Sequence, residues 1–581
     1  MIPSPERFTA SEPKKLPGEP ATDWSIPPWV SSRCYCLGTE SARAMLTNSR
    51  WWTNIVLEGG SAELWHLFPA RFSLADLASR ASSIGIDMED AETRAEVLGF
   101  LGTLHSEGLL SSATLPNPKP DPSSTIAGFR TGAASNSVEA DFYDWLSDRG
   151  VLPSALIELT YRCNQRCVHC FNPGAARSPS EMPRRSADEL TTEEIGRVLV
   201  DLAEMGVFTL TFSGGEPSLR VDLIEILREA RSLGFSFNVY SNGQLPDSLL
   251  RQICDLWPRA IGISLYSAVP DIHDATTGVK GSFDRALESL RLVAGSGVRA
   301  MVKCPLMQHT VFGYKRLLEL CDELNALPQF DFQITAGMDG DERCTVHQIL
   351  DRPTLRMIMA DPRVAMHVGP ETLNYGRQNR PIDGPVCGAG RYTVSIAPDG
   401  TVYPCNGLPL TLGNVRAAGL RAIWHESKAL AAWKAATLAD FDQCGLYSYC
   451  SYCNHCPGMA MVETGDLLAV SKTCCTTALA RMELSKEFQA SQSGTVDNAA
   501  TFGFDEGVRL PTQSSMIAVS AACPSDPRAV PGDGFAERIA QIQREGNTRR
   551  RAQVPERDSP ADQNLTEANM DRSSRLRELG R

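Results

Sequence analysis

The chain has 581 residues, of which 42% are hydrophobic and 22% charged, a composition typical of soluble globular proteins. This length exceeds what one hydrophobic core usually supports, so roughly two to four domains are expected. The net charge of −13 argues against a nucleic-acid binder, which usually carries a basic face. The sequence contains no run of about 18 uncharged apolar residues, so no membrane span is predicted. Residues 1–20 lack the apolar centre of a signal peptide. A cytoplasmic protein is therefore expected.

Composition divides the chain into seven segments: a polar lead-in (1–30), a small globular domain (31–118), a linker rich in proline, serine and glycine (119–149), a main domain (150–350), a connector (351–382), a cysteine-rich domain (383–485) and a tail expected to be largely disordered (486–581). Within the small domain, apolar residues recur at helical spacing over residues 58–68, 74–83 and 94–109. Three helices are therefore predicted there.

The main domain alternates short apolar runs with amphipathic segments. The predicted strands are Ala155–Thr160, Phe208–Ser213, Ser236–Ser241, Ala260–Leu265, Arg299–Lys303 and Asp331–Thr335. The predicted helices are Thr192–Met205, Leu219–Leu233, Asp247–Leu256, Phe283–Ser296 and Tyr314–Leu324. Such alternation predicts an α/β fold with a parallel sheet. Six units fall short of the eight of a closed barrel, so an open, partial (β/α)6 barrel is expected, with its chemistry at the carboxyl ends of the strands.

Three cysteines, Cys163, Cys167 and Cys170, directly follow the first predicted strand. In a reducing compartment, clustered cysteines more often hold metal than form disulfides. Three thiolates could surround one face of a [4Fe–4S] cluster and leave one iron open, because such clusters usually take four cysteines. The same pattern leaves open a zinc knuckle that uses His169, or three thiols without metal.

The spacing of these cysteines, together with the turn Gly214-Gly215-Glu216-Pro217 after the second strand, resembles the radical S-adenosylmethionine (SAM) superfamily. The resemblance implies that Cys163, Cys167 and Cys170 ligate the radical cluster and that SAM binds the open iron. The further contacts that it implies are Gly214, Gly215 and Glu216 near the methionine amino group, Ser241, Asn242 and Ser264 near the ribose and the methionine carboxylate, and His169 near the adenine.

A second cysteine group contains Cys387, Cys405, Cys444, Cys450, Cys453, Cys456, Cys474 and Cys475. The spacing from Gly400 to Cys405 and the ending Cys453-x2-Cys456-Pro-Gly-Met-Ala resemble the SPASM extension of radical SAM maturases, which usually holds two auxiliary [4Fe–4S] clusters. The implied ligands are Cys387, Cys405, Cys444, Cys450, Cys453, Cys456 and Cys475. Tyr447 stands where another cysteine is usual and Cys450 could replace it. Spacing favours Cys475 over Cys474, and a structural zinc ribbon remains an alternative.

The predicted helices of residues 31–118 resemble the PqqD-type peptide-recognition domain, a small winged-helix fold. This resemblance implies that a leader peptide docks by strand addition next to the third helix. A scaffolding or dimerisation domain would have the same apolar periodicity.

Together the resemblances imply an oxidoreductase that generates a 5′-deoxyadenosyl radical and cross-links or oxidises a ribosomally made peptide in natural-product or cofactor biosynthesis. The implied cofactors are SAM, a radical [4Fe–4S] cluster and one or two auxiliary [4Fe–4S] clusters. The implied partners are a peptide with a leader segment and a reductant such as flavodoxin or ferredoxin, with no nucleic acid or membrane. Asn406 follows Cys405, whereas sulfatase maturases commonly have an aspartate base there. Two alternatives remain: a radical SAM dehydrogenase acting on a small molecule, and a noncatalytic peptide-binding scaffold with structural zinc.

Overall fold

The computed structural model describes residues 23–116, 137–172, 188–334, 348–364, 384–441 and 448–492, together with residue 537. The predicted lead-in up to residue 22, most of the linker, Cys444 and nearly all of the tail lie outside the described residues. None of the described helices is long and apolar enough to cross a membrane.

The amino-terminal unit combines two small antiparallel sheets with three helices. Its strands are β1 (Asp23–Ser25), β2 (Val30–Tyr35), β3 (Arg43–Asn48), β4 (Thr53–Glu58), β5 (Arg71–Ser73) and β6 (Ser111–Ser112), and its helices are α1 (Gly60–His66), α2 (Leu74–Ala81) and α3 (Ala91–Ser106). One sheet has the order β2-β3-β4 and the other β5-β1-β6. The helices match the three predicted segments, whereas the strands were not predicted.

The core of this unit reaches further toward the amino terminus than the predicted boundary at residue 31. Trp24 on β1 is only 2% exposed and packs with Leu101 and Leu104 of α3. A three-residue strand with one apolar side chain gives too short a pattern to identify from sequence. Similarly, helix α4 (Ser137–Ser147) occupies the end of the predicted linker, and its Phe142 packs against Tyr35 and Met45 of the sheet.

The main domain is the predicted α/β array. Its six parallel strands are β7 (Ser154–Glu158), β8 (Thr209–Ser213), β9 (Ser236–Ser241), β10 (Ala260–Ser264), β11 (Ala300–Pro305) and β12 (Leu327–Asp331). Its helices are α5 (Thr192–Glu204), α6 (Leu223–Ser232), α7 (Asp247–Asp255), α8 (Pro270–Thr277), α9 (Ser282–Ser296) and α10 (Tyr314–Glu323). The strands lie in sequence order from β7 to β12, so the sheet forms the open, partial barrel that was expected.

Two elements of the main domain differ from the prediction by more than a shift at their ends. Strand β12 covers Leu327–Asp331 rather than Asp331–Thr335. It contains Pro328, which removes one ladder donor and is tolerated because β12 lies at the edge of the sheet. Helix α8 was not predicted, because its buried face carries the polar residues His273, Thr276 and Thr277 instead of an apolar stripe.

The two faces of the barrel strands differ in chemistry. On β11, Ala300, Val302 and Cys304 are buried in the core beneath the helices. Met301 and Lys303 alternate with them and therefore point to the opposite, inner face. This inner face is half-buried and partly polar, which makes it suited to a ligand.

The cysteine-rich region extends the same sheet. Helix α11 (Arg352–Met359) precedes it in the chain, inside the predicted connector. Strand β13 (Thr393–Ile396) pairs in parallel with β7, and β14 (Thr401–Tyr403) and β15 (Gly413–Asn414) follow as an antiparallel hairpin. The remaining helices are α12 (Val415–Ala418), α13 (Leu420–Glu426), α14 (Lys428–Ala435), α15 (Pro457–Thr464) and α16 (Lys472–Gln492).

The amino-terminal unit docks on the amino-terminal edge of the barrel. Arg33 on β2 donates hydrogen bonds to the carbonyl oxygens of Ala203 and Leu233, at 3.0 and 2.9 Å. Arg231 of α6 donates in return to the carbonyl oxygen of Val30, at 3.0 Å. These contacts lie where the barrel helices end, so the unit sits on the face opposite the carboxyl ends of the strands.

Candidate functional site

The cysteine loop leaves β7 at the carboxyl edge of the barrel. Cys163, Cys167 and Cys170 are half-buried, whereas the isolated Cys254, Cys304 and Cys321 are fully buried. Loss of hydration and the neighbouring thiols Cys170 and Cys163 together raise the pKa of Cys167 well above its ordinary value. The three predicted ligands are therefore close together and partly accessible.

Helix α8 holds the middle of this loop. The backbone N–H of Arg166 donates to the carbonyl oxygen of Thr277 at 2.8 Å, and that of Val168 donates to Thr276 at 3.0 Å. These carbonyls belong to the last turn of the helix, where backbone acceptors lack intrahelical partners. The end of α8 thus fixes the loop on both sides of Cys167.

The turn after β8 packs directly on the start of the cysteine loop. The Gly215 N–H donates to the carbonyl oxygen of Thr160 at 2.6 Å, and the Glu216 N–H donates to that of Arg162 at 2.8 Å. A Cβ on Gly214 would lie 2.2 Å from the Thr160 oxygen, and one on Gly215 would lie 2.3 Å from the Arg162 oxygen. Both positions require glycine because two backbones meet there.

Glu216 joins this turn to the end of β9. Its carboxylate is fully buried and accepts hydrogen bonds from the Ser241 hydroxyl at 2.9 Å, the Asn242 N–H at 2.7 Å and the Ser218 N–H at 3.1 Å. Its burial raises its pKa, with the N–H of Asn242 acting in the opposite direction. Within the described part of the chain, the Glu216 carboxylate is therefore held by three hydrogen bonds from protein groups.

Asn242 lies next to the first cysteine. Its side-chain amide donates to Cys163 Sγ at 3.6 Å and to Asn164 Oδ1 at 2.6 Å. Asn164 in turn donates to the carbonyl oxygen of Gln244 at 3.0 Å. A side-chain amide facing a thiolate stabilises its negative charge. Asn164 was missed by sequence reasoning, although its position between two cysteines was a signal.

On the other side of the loop, aromatic groups lie beside Cys167. Tyr266 lies with its hydroxyl 3.8 Å from Cys167 Sγ, and its ring meets that of His169 edge-on at 4.6 Å between centroids. Ser264 hydrogen-bonds with Tyr266. Loss of hydration lowers the pKa of His169 to about 4, which keeps its ring neutral. Tyr266 was also missed, because a tyrosine after an apolar strand is common in a core.

Several polar atoms near the loop fit a bound cofactor. Gln165 Nε2, His169 Nδ1 and Asn172 Oδ1 are buried and have no hydrogen-bond partner within the described part of the chain. Buried polar atoms without partners are rare and point to a ligand or ordered water. Within the described ranges no three His, Cys, Asp or Glu side chains close around a single metal ion. Three half-buried thiols lie next to buried polar atoms without hydrogen-bond partners. This arrangement suits a bound group that is larger than a single metal ion and that contacts both the sulfur atoms and the polar atoms.

Of the second cysteine group, Cys387, Cys405 and Cys456 lie near one another. Burial raises the pKa of Cys405 to about 11, with Cys387 the next cause. Burial likewise raises the pKa of Cys456 to about 12, and the neighbouring thiols Cys474, Cys405 and Cys387 raise it further, in that order. A Cβ on Gly458 would lie 1.6 Å from the carbonyl oxygen of Gly407. This contact sets the start of α15 directly on the turn after Cys405.

Of the other described cysteines of the group, Cys474 and Cys475 lie in the first turn of α16, and Cys450 and Cys453 lie in an earlier segment that packs against this helix. Cys450, Cys453 and Cys475 pack around Tyr449, Ala478 and Met482. Cys474 is 2% exposed and contacts Met459 Sδ and Gln333 Nε2, each at 3.8 Å, and it also hydrogen-bonds with Cys453. Both members of the adjacent pair therefore lie beside Cys453: Cys475 packs in one cluster with Cys450 and Cys453, and Cys474 hydrogen-bonds with Cys453 and also faces the barrel.

Comparisons with known proteins agree with these two cysteine regions. Residues 157–321 match the family model of the radical SAM superfamily, and residues 387–457 match that of SPASM, an iron–sulfur cluster-binding domain.

Solved structures similar to this chain include two of Streptococcus suis SuiB. The SuiB structure bound to S-adenosylmethionine is 14% identical with a TM-score of 0.47, and the one bound to the precursor peptide SuiA is 15% identical with a TM-score of 0.47; each match covers 78% of this chain and 99% of SuiB. Native anSMEcpe with AdoMet and the Cp18Cys peptide is 16% identical with a TM-score of 0.45, and covers 59% of this chain and 100% of anSMEcpe.

The two family matches include the loop with Cys163, Cys167 and Cys170 and the segment from Cys387 to Cys456. This chain therefore carries a radical SAM domain, which binds SAM and a [4Fe–4S] cluster, followed by an iron–sulfur SPASM domain.

Proposed function

We propose that this protein is a radical SAM oxidoreductase that modifies a ribosomally made peptide, by cross-linking or oxidising one of its residues. The observation that carries the radical chemistry is the trio of half-buried thiols beside the glycine turn at the carboxyl edge of the barrel. When bound, the cluster and SAM supply a 5′-deoxyadenosyl radical that abstracts a hydrogen atom from the substrate.

In this proposal the thiolates of Cys163, Cys167 and Cys170 hold the radical cluster. The residues proposed to line the SAM site are His169, Gly214, Gly215, Glu216, Ser241, Asn242 and Ser264. Glu216 acts by fixing the backbone of the Ser241–Asn242 turn, because its carboxylate accepts from both residues. Asn242 stabilises the thiolate of Cys163 through its side-chain amide.

The auxiliary clusters are proposed to lie in the SPASM domain. The proximity of Cys387 and Cys405 to Cys456 supports one cluster at these residues, and Cys474 is a further neighbour of Cys456. Cys450, Cys453 and Cys475 pack together, which supports a second auxiliary iron–sulfur cluster at these residues. Cys444 is proposed to contribute a further ligand to it. Thiolate-rich sites select iron–sulfur clusters or zinc, so their metal content is a direct test of the scaffold alternative.

Peptide recognition is proposed for the amino-terminal unit. Its strand β4 lies at the edge of the β2-β3-β4 sheet within the described residues, and an extended peptide can add to such an edge. The unit docks at the opposite end of the barrel from the cysteine loop. Barrel strands of five or six residues span roughly 20 Å, so about six or more extended residues should separate the leader from the modified residue.

The protein is proposed to work in the cytosol with a flavodoxin or ferredoxin as its reductant. The chain has 18 cysteines, and thiolate ligands of this kind persist where the compartment is reducing. Nucleic acid and membranes are not proposed as partners, in keeping with the acidic net charge of −13.

The radical assignment is tested with Cys167→Ala, prepared and reconstituted anaerobically. Reductive formation of 5′-deoxyadenosine should be lost while iron and sulfide assigned to the SPASM domain remain. Cys36→Ala, which removes an exposed thiol outside both groups, is the matched control and should behave as the wild type. Retained 5′-deoxyadenosine formation in Cys167→Ala, or zinc without sulfide in the wild type, would overturn the assignment.

The peptide assignment is tested on the full chain, because deleting the docked unit would uncover the barrel surface that Arg33 and Arg231 join. A displayed random-peptide library is selected against the reconstituted protein. Hydrogen exchange is then measured with an enriched peptide at saturation. Protection of the backbone amides of β4 is expected, with no change at the β15 edge. Protection confined to other elements, or no enrichment, would favour the small-molecule alternative.

A further inference from the structure

One cation on the inner face of the barrel has no role in the functions described so far. Lys303 lies on β11 in register with Ser264 on β10 and Gln329 on β12. Its neighbours Val302 and Cys304 are buried beneath the helices, so its side chain points into the barrel. Ser264 is the residue that contacts Tyr266 beside Cys167, which places Lys303 one strand away from the cysteine-loop site.

The path of the Lys303 side chain depends on a glycine. The ammonium reaches across β10 to the ring of Tyr240 on β9, with Nζ 4.3 Å from the ring centroid. Gly262 on β10 lies beneath this path, and a Cβ there would lie 2.8 Å from Tyr240 Cδ1 and 3.0 Å from Lys303 Cγ. A glycine in a strand interior commonly marks a close approach of another group. The barrel wall is thus shaped to direct this ammonium toward β9.

The close partners of Lys303 Nζ are uncharged. It donates to Gln329 Oε1 at 2.9 Å and faces the Tyr240 ring. No carboxylate within the described ranges lies within ion-pair distance of it; Asp331, at the end of β12, attracts it from further away. Burial lowers the pKa of Lys303 to about 8, so it remains protonated at neutral pH. A half-buried cation without a counterion carries a desolvation cost that a bound anion would offset.

We propose that Lys303 is a carboxylate-binding residue of the barrel lumen, held in place by Tyr240, Gln329 and the gap at Gly262. The proposal rests on the radical SAM function proposed above and adds a recognition group to its site. A carboxylate suits this position because a single ammonium with a neighbouring amide donor can hold it at one edge. Two molecules could supply this carboxylate: SAM, through its methionine moiety, and the substrate, through an acidic group.

The first experiment tests SAM as the source. Anaerobic binding of SAM and of decarboxylated SAM is measured for the reconstituted wild type, Lys303→Met and the control Lys428→Met, which changes an exposed lysine on α14. If SAM supplies the carboxylate, the preference of the wild type for SAM over decarboxylated SAM should exceed that of Lys303→Met by about tenfold to a hundredfold, as expected for a charge-assisted hydrogen bond. Lys428→Met should keep the preference of the wild type.

The second experiment tests the substrate as the source. At saturating SAM, binding is compared for two capped tripeptides that differ only in a central aspartate or asparagine. A preference of about tenfold for the acidic peptide that Lys303→Met abolishes would assign the carboxylate to the substrate. Gly262→Ala, which keeps the amine but obstructs its path, should weaken the same preference, and Lys303→Arg should restore part of it.

The outcomes separate the inference from the function on which it rests. Suppose that the wild type binds SAM and forms 5′-deoxyadenosine, but Lys303→Met shows the same preference as the wild type within both ligand pairs. The assignment of Lys303 as a carboxylate-binding residue is then wrong, and the proposed function stands. If the wild type neither binds SAM nor forms 5′-deoxyadenosine, the proposed function itself fails. Thermal unfolding of each variant confirms that it is folded before binding is compared.

Discussion

Replacing Gly215 by alanine should separate the glycine turn from the cysteine loop. The new Cβ would lie 2.3 Å from the carbonyl oxygen of Arg162 and 2.7 Å from that of Tyr161. Both obstacles are backbone atoms, so no side-chain rotation can relieve the contact. The chain must move by widening the gap between the end of β8 and the loop that carries Cys163.

The cost follows from what that movement breaks. Two backbone hydrogen bonds cross the gap, from Gly215 to Thr160 at 2.6 Å and from Glu216 to Arg162 at 2.8 Å. Each contributes about 1 kcal/mol, and the displacement itself adds about 1 to 3 kcal/mol. The sum of about 3 to 5 kcal/mol is a large part of the roughly 5 to 15 kcal/mol that stabilises a typical domain.

The assay compares Gly215→Ala with Gly295→Ala after anaerobic reconstitution. Gly295 lies in helix α9 with open space around its Cα, so alanine there should be neutral or stabilising by up to about 1 kcal/mol. Gly215→Ala should unfold at a lower temperature, bind less iron and bind SAM more weakly. An iron content, SAM affinity and unfolding temperature equal to those of Gly295→Ala would refute the packing argument.

Three further predictions concern other parts of the molecule. Gly458→Ala, whose Cβ would meet a carbonyl oxygen at 1.6 Å, should lower the iron content while 5′-deoxyadenosine formation persists; unchanged iron would contradict the contact between α15 and the Cys405 turn. Arg220→Gln removes a buried partner of Asp222 and should destabilise the chain by about 3 to 5 kcal/mol in urea unfolding. Arg197→Gln, which removes one partner of an exposed ion pair, should cost no more than about 0.5 kcal/mol. Equal losses of unfolding free energy in the two variants would refute the expected difference between the buried and the exposed pair. The pKa of Lys303 falls from 10.5 to about 8 on folding, so between these values the unfolded chain binds more protons and stability should rise with pH. Lys303→Met should flatten that rise in urea midpoints measured from pH 7 to 11, and an unchanged slope would contradict the burial of this amine.

The fold class could be predicted from sequence because it depends on local patterns. Strand β9 covers Ser236–Ser241 as predicted, since its apolar side chains alternate at a period of two. Helix α5 begins at the predicted Thr192, where Thr191 and Glu194 form a capping box. These signals lie within a few residues of one another and do not depend on the rest of the chain.

The errors occurred where tertiary contacts replaced local signals. Helix α8 carries buried polar residues because its final carbonyls support the cysteine loop, so no apolar stripe marked it. Strand β1 gains its stability from pairing with β5 and β6, which lie far along the chain. Such pairing leaves no mark in a window of ten residues.

The sequence alone determined the three-cysteine loop, the glycine turn and the second cysteine group, because spacing along the backbone limits which thiols can share a site. Only the tertiary structure decided which side chains surround them. Asn242 reaches Cys163 and Tyr266 reaches Cys167 because parallel strands bring their carboxyl ends to one edge of the sheet. In the same way, Lys303 meets Tyr240 across Gly262, a proximity that depends on strand register and that no motif along the chain records.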